Sequence, residues 1–403
     1  MVAVSHPTGN ANVRAVLRAL EEAKLLAAFL TTVAVTGDPR FLPASLRAEA
    51  SRRSYPVPPG KIWRRPSREL LRLLAVKLRF ARWADIGGVC RDLDRRGAEY
   101  LRKRAKRDAV TAVYCYEDSA LESFRAAKAL GIRRFYDLPI GYFRAAQRVL
   151  AEDRERMPEF ADAFSLDGTP EPAWKLERKE EEARLADVII ACSEFVKATL
   201  AEGGLPLEKV RVVQFGSPEG IACKTWSAED SRRPLRVLFA GLVLQRKGIG
   251  YLLHAIERLQ RKDVELVVMG RLPAKPQSIL RYKHLFRYEP PRPHAGVLEL
   301  MKTCDLLVLP SLFEGQALVV LEAMKCGLPV IITPSTGAAN LVENGREGFV
   351  VPACSTEALA EAVEWFMAHR DAIPAMGEAA RKRAESATWE SYRSRIVQLV
   401  EEE

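Results

Sequence analysis

Leu306-Leu307-Val308-Leu309-Pro310-Ser311-Leu312-Phe313-Glu314-Gly315-Gln316-Ala317-Leu318-Val319-Val320-Leu321-Glu322-Ala323-Met324 decides the fold. An apolar run that stops at proline, a short loop, and a second apolar segment read as a buried strand, a tight turn and a helix. Gly315 lets the backbone come close to a ligand, because no Cβ stands in the way. The amides of Gln316, Ala317 and Leu318 are expected to be free donors at a helix start, where about half a unit of positive charge favours an anion. Glu314 stands just before that site and Glu322 about two turns into the helix. A phosphate needs amides and sugar hydroxyls need carboxylates; the segment offers both, which suits a nucleotide sugar.

The same strand–helix alternation runs outward in both directions. Towards the N-terminus, strands are predicted at Val2–Ser5, Leu30–Val35, Ala109–Tyr114, Ile132–Tyr136 and Val188–Ala191, with a helix over Asn12–Ala28. A polar stretch, Gln214–Pro234, reads as a linker. Alternation then restarts with Leu235–Ala240, Val264–Met269, Leu306–Leu309 and Val330–Thr333, and Trp389–Val400 has a helical pattern. Strands separated by helices imply parallel sheets covered on both faces. A chain of 403 residues suits two such domains. Their ligand cleft is expected at the carboxyl ends of the strands.

Three motifs carry a resemblance. They are Glu314 and Glu322 followed by Ala-Met-Lys-Cys-Gly-Leu-Pro-Val-Ile, the turn Val237-Leu238-Phe239-Ala240-Gly241-Leu242 with Arg246-Lys247-Gly248, and Ala186-Asp187-Val188-Ile189-Ile190-Ala191-Cys192-Ser193-Glu194. Together they resemble the retaining GT-B glycosyltransferases, closest to glycosyltransferase family 4. The resemblance implies an α/β, GT-B fold: two doubly wound, Rossmann-like domains facing across a cleft. It places an acceptor-binding domain at 1–215, joined by a C-terminal helix at 388–403, and a nucleotide-sugar-binding domain at 216–387.

Roles follow residue by residue. Lys247 and Arg246 come after the Gly241 turn, where two cations can neutralise a diphosphate leaving group; otherwise they are a solvated basic pair. Similar enzymes often carry arginine directly after that glycine, where this chain has Leu242, so Arg246 is the candidate replacement. Glu314 would face the donor sugar and Glu322 the ribose hydroxyls. Gly270 ends a strand beside the loops expected to meet the base. His6, Gly9 and Asn10 lie between the first strand and helix, on the acceptor side, where their amides would meet the acceptor or, across the cleft, the donor phosphate, unless Asn10 or Asn12 only caps the helix. Asp137 stands where similar enzymes often have a histidine near the reacting sugar; it either bonds a sugar hydroxyl or starts the next helix. Asp92-Leu93-Asp94 matches a metal-binding Asp-x-Asp of other glycosyltransferases, but its arginine-rich surroundings read as a solvated ion-pairing face. No cofactor and no metal are expected, only a nucleotide-diphospho-sugar as substrate.

Charge and cysteine usage set bounds. The net charge of +10 concentrates between Arg52 and Arg82, where ten basic residues face one acid, Glu69. With Tyr55, Trp63, Phe80 and Trp83 nearby, the stretch reads as an interfacial helix on an anionic membrane or as a solvated surface; nucleic acid is the weaker partner. Seven scattered cysteines without a C-x-x-C pair point to reduced thiols and a cytoplasmic setting. No signal peptide or membrane-spanning run is legible. The function expected is sugar transfer to a hydroxyl of a glycan or lipid-linked acceptor. A sugar-nucleotide epimerase, a hydrolase, and a scaffold without catalysis remain as alternatives.

Overall fold

The structure, a computed structural model, describes residues 1–35, 50, 53–78, 85–164 and 171–403. Its strands fall into two sheets. The first holds β1 (Val2–Ser5), β2 (Leu26–Thr31), β3 (Ile62–Arg64), β4 (Ala112–Tyr116), β5 (Arg133–Leu138), β6 (Val188–Ala191) and β7 (Val210–Val212), in the order β3-β2-β1-β4-β5-β6-β7. The second holds β8 (Leu235–Ala240), β9 (Val264–Met269), β10 (Phe286–Glu289), β11 (Leu306–Leu309), β12 (Val330–Ile332) and β13 (Gly348–Val350), in the order β10-β9-β8-β11-β12-β13. Every pairing is parallel. Both sheets reverse direction beside their first strand, the doubly wound order that opens a crevice at its switch point.

Burial explains the pattern. Central strands such as β1, β6 and β11 are buried at every residue, so they read as unbroken apolar runs. Each sheet has its own hydrophobic core. Two segments cross between them. The helix Trp389–Glu402 leaves the second domain and buries Tyr392, Ile396 and Leu399 in the first core. In the other direction, Met157, Phe160 and Ala163 leave the first half of the chain and lie in the second core. Phe160 is fully buried there, edge-on to His254 and stacked on Tyr282. Asp153 anchors the same crossing by accepting from Tyr251 (2.5 Å) and Gln245 (2.9 Å). The two segments that link the domains run side by side, with Ser217 donating its amide to the Ala387 carbonyl at 2.7 Å.

Several boundaries differ from the sequence reading. The first helix is Ala11–Glu22 and stops well before Ala28. Lys24 turns left-handed at φ 57, and Leu26–Thr31 then pairs with β1 as a strand. The strand expected at Leu30–Val35 thus begins and ends about four residues earlier, β4 and β5 end two residues later than expected, and β6 falls at Val188–Ala191 as expected; Asp137 therefore lies inside β5 and does not start a helix. The amphipathic helix spans Ser67–Lys77. Arg52, Arg79, Phe80, Arg82 and Trp83 lie outside the described residues, as does the side chain of Lys77. Asp94 corrects the reading of a solvated face: it is fully buried, accepts from the amides of Glu122 (2.7 Å) and Ser123 (2.8 Å), and pairs with Arg178. It caps the helix Leu121–Ala129 and neutralises Arg178. Among the described residues no helix is long and apolar enough to cross a membrane.

Candidate active site at the domain seam

The carboxyl ends of β5 and β6 in one domain face those of β8 and β11 in the other. Ile140, just past β5, forms an antiparallel bridge with Gly315, just past β11. The Gly141 amide donates to the Glu314 carbonyl at 3.1 Å, and the Ser193 hydroxyl to the Gly315 carbonyl at 2.7 Å. A Cβ on Gly315 would overlap the Pro139 carbonyl. The glycine therefore admits the backbone of the opposite domain, not a ligand as its sequence position suggested. Gly241 and Gly270 make a second close approach, both at positive φ, where a Cβ on Gly270 would collide with the Gly241 carbonyl.

Three charged side chains meet at this seam. Arg246 and Lys247 lie in the short turn Gln245–Lys247, ahead of the helix Ile249–Leu259. The Arg246 guanidinium donates to the Glu314 carboxylate and to the Phe313 carbonyl, both at 2.7 Å. Lys247 pairs with the same carboxylate oxygen. Burial, with the Arg246 charge acting in the same direction, outweighs Glu314 and lowers the Lys247 ammonium from its ordinary value. Glu314 thus occupies the two cations expected to hold a diphosphate. A carboxylate in that position is held as a phosphate oxygen would be.

The anion site is narrower than the sequence implied. The Ala317 amide is not free: it donates to the Thr336 carbonyl at 2.9 Å. The Gln316 side chain clasps the linker, accepting from the Phe215 amide (2.6 Å) and donating to its carbonyl (3.3 Å). Leu318 opens the helix Leu318–Lys325, which carries Glu322. Glu322 accepts from, or shares a proton with, His294 at 2.9 Å. No motif marked His294. It starts the helix His294–Lys302, and only folding brings it to a carboxylate 28 positions on.

The first-domain candidates are placed less favourably. Asn10 caps the first helix, its side chain accepting from the Val13 amide at 2.9 Å, so the capping alternative holds. Gly9 precedes it in the same turn. The His6 ring accepts from the Thr8 amide (3.1 Å) and stands edge-on to Tyr116. Burial, then the charge of Arg14, pulls His6 down to about 3, so it is neutral and its other nitrogen carries the proton. Asp137 is not brought to the seam cluster. It is 1% exposed and accepts from Tyr114 at 2.6 Å.

Burial pushes Asp137 from 3.8 up to about 7, against the Tyr114 hydrogen bond that favours its charge. A carboxyl raised in the folded state binds a proton that the unfolded chain has released, so its stabilising contribution is full below about pH 4 and is lost as pH rises to about 7. Asp137→Asn is expected to remove that decline from the melting-temperature profile between those limits. An unchanged slope in the variant would place the titration elsewhere.

Two doubly wound domains whose strand ends meet over this cluster define a GT-B fold. Comparison with known proteins agrees. Residues 234–369 match the family model described as Glycosyl transferases group 1. The chain is 27% identical over 296 residues to a D-inositol 3-phosphate glycosyltransferase of Streptomyces bingchenggensis, covering 64% of each chain. It is 28% identical over 216 residues to the capsular polysaccharide biosynthesis glycosyltransferase CapM of Staphylococcus aureus, covering 49% of this chain and 57% of that one. The matches thus span about three fifths of these relatives' length. Among solved structures, sucrose-phosphate synthase from Thermosynechococcus elongatus superposes with a TM-score of 0.66 at 18% identity, covering 100% of this chain and 98% of that one. Anabaena Alr3699/HepE in complex with UDP and glucose superposes at 0.65 and 16% identity, covering 100% and 99%. The resemblance to GT-B glycosyltransferases read from the motifs is borne out in the fold and in the match of the C-terminal domain.

Proposed function

We propose that the protein transfers a sugar from a nucleotide-diphospho-sugar to an acceptor hydroxyl, with retention of configuration. The observation that carries this reading is the convergence of Lys247, Arg246 and Glu314 at the seam, with Glu322 further along the helix Leu318–Lys325. On binding, the donor diphosphate displaces Glu314 from the two cations. The bond from the anomeric carbon to the phosphate oxygen then breaks, and Lys247 and Arg246 stabilise the charge that collects on the leaving group. Glu314, released, lies against the cationic sugar carbon. The acceptor oxygen bonds to that carbon from the same face, and its proton goes to the departing phosphate oxygen. Glu322, steadied by His294, accepts from the ribose hydroxyls.

Solved neighbours holding UDP and glucose make uridine diphosphate sugars the first donors to try. The names of the relatives suggest a polyol phosphate or a growing polysaccharide as acceptor. A glycan or lipid-linked acceptor used in the cytoplasm, at the inner face of the membrane, is the setting we propose, with no metal required. The test is release of nucleotide diphosphate from a donor panel with and without acceptor. Release that needs an acceptor and yields a new glycoside supports transfer. Release in water alone, or a changed sugar on the nucleotide, supports the hydrolase or epimerase.

A further inference from the structure

The helix Ser67–Lys77 is turned opposite to an ordinary surface helix. Its inward face carries Glu69 and Ala75, both buried. The Glu69 carboxylate is held there by Arg53 (2.5 Å) and Arg72 (2.7 and 2.9 Å). Its outward face carries Leu70, Leu74 and Leu78, one turn apart, with Leu71 beside them, at 42–54% exposure. A surface helix normally buries its apolar stripe, and a contiguous apolar patch left outside marks a contact surface.

The surrounding charge indicates what covers it. β3 leads through the exposed Arg65 directly into the helix. Arg65 and Lys103 share a groove with Trp63, Arg96, Arg104 and one acid, Glu99, which pairs with Arg96 at 3.0 Å; Arg104 pairs with Asp108 at 3.3 Å, and its guanidinium lies 4.4 Å from the centre of the Trp63 ring, so the groove keeps a net positive charge. Leucines flanked by cations and an indole fit the boundary of an anionic bilayer, where acyl chains take the leucines and phosphates take the cations. A second copy of the chain would bring the same positive charge against itself.

We propose that the helix Ser67–Lys77 docks the N-terminal domain on an anionic lipid surface through this leucine stripe. The inference does not rest on sugar transfer, because vesicle binding is read without turnover. The whole chain is floated with phosphatidylcholine vesicles, with and without phosphatidylglycerol. Recovery with the anionic vesicles alone is expected. Leu70→Glu with Leu74→Glu should cut it about tenfold or more at an unchanged melting temperature. Arg65→Glu should weaken it while the leucines stay in place. If the glutamate pair lowers the melting temperature, Leu70→Gln with Leu74→Gln makes the same comparison. The proposal is overturned if the wild type does not float, or if the folded leucine variants float as the wild type does. It is also overturned if the stripe instead holds a dimer that these variants dissolve without any vesicle binding.

Discussion

Lys247→Met is expected to lower kcat/KM by about 10²–10³-fold, the usual loss when one preorganised donor to a developing negative charge is removed. Methionine keeps most of the length and apolar volume of the lysine stem, so the turn Gln245–Lys247 should still form. What disappears is a desolvated charge at the point where the proposed reaction breaks the donor bond. A cation out of bulk water acts across a low dielectric, which is why a single side chain can carry an effect of this size. Arg246 remains beside Glu314 and should preserve part of the leaving-group stabilisation. The loss should fall mainly on kcat, since the diphosphate gains charge as the bond breaks. Steady-state kinetics with a saturating acceptor checks this. A variant within a few-fold of wild type would remove Lys247 from the chemistry.

Glu314→Gln should move two quantities in opposite directions. In the ligand-free protein the Glu314 carboxylate neutralises Arg246 and Lys247, and all three groups are largely withdrawn from water. Removing the negative charge leaves two cations uncompensated, so the free protein should lose about 3 kcal/mol of stability. A diphosphate no longer competes with a carboxylate for those cations. Nucleotide diphosphate should then bind about threefold to tenfold more tightly. Turnover should nevertheless fall about 10²-fold if, as proposed, that charge stabilises the sugar carbon. Calorimetry on the product nucleotide together with kinetics reads both signs. Weaker binding alongside slower turnover would mean that Glu314 positions the ligand and does not stand in for it.

Most interior strands were legible because parallel strands covered on both faces leave long apolar runs, as in Leu235–Ala240 and Leu306–Leu309; β2 is the exception, because its apolar run continues that of the preceding helix. The sheet edges were not. Ile62–Arg64, Val210–Val212, Phe286–Glu289 and Gly348–Val350 are short and partly exposed, and the first three carry charged side chains. Periodicity shows that Met157 and Phe160 are buried, but not that they are buried in the other domain. The same limit applies to the helix Ser67–Lys77. Its two faces are visible in the sequence, yet Arg53, from outside the helix, decides which of them turns inward.

In the candidate site, local motifs singled out Glu314, Glu322, Arg246 and Lys247, and folding brings Glu314 against both cations. Their pairing was hidden, because the two cations are 68 and 67 positions from Glu314 and nothing local encodes that distance. The bond between Ala317 and Thr336, and that between Glu322 and His294, are tertiary in the same sense. Asp137 was misplaced by a short shift in a strand boundary, which moved it from a loop into a buried strand beside Tyr114.

The most direct measurement is the melting temperature of the wild type and of Glu322→Ala with UDP, GDP, ADP and their sugars, in the presence of EDTA. A ligand that binds only the folded protein raises it. A clear rise with one base that survives the chelator and weakens in Glu322→Ala is expected. No rise with any nucleotide, or an equal rise in the variant, would contradict a nucleotide-sugar site at this seam.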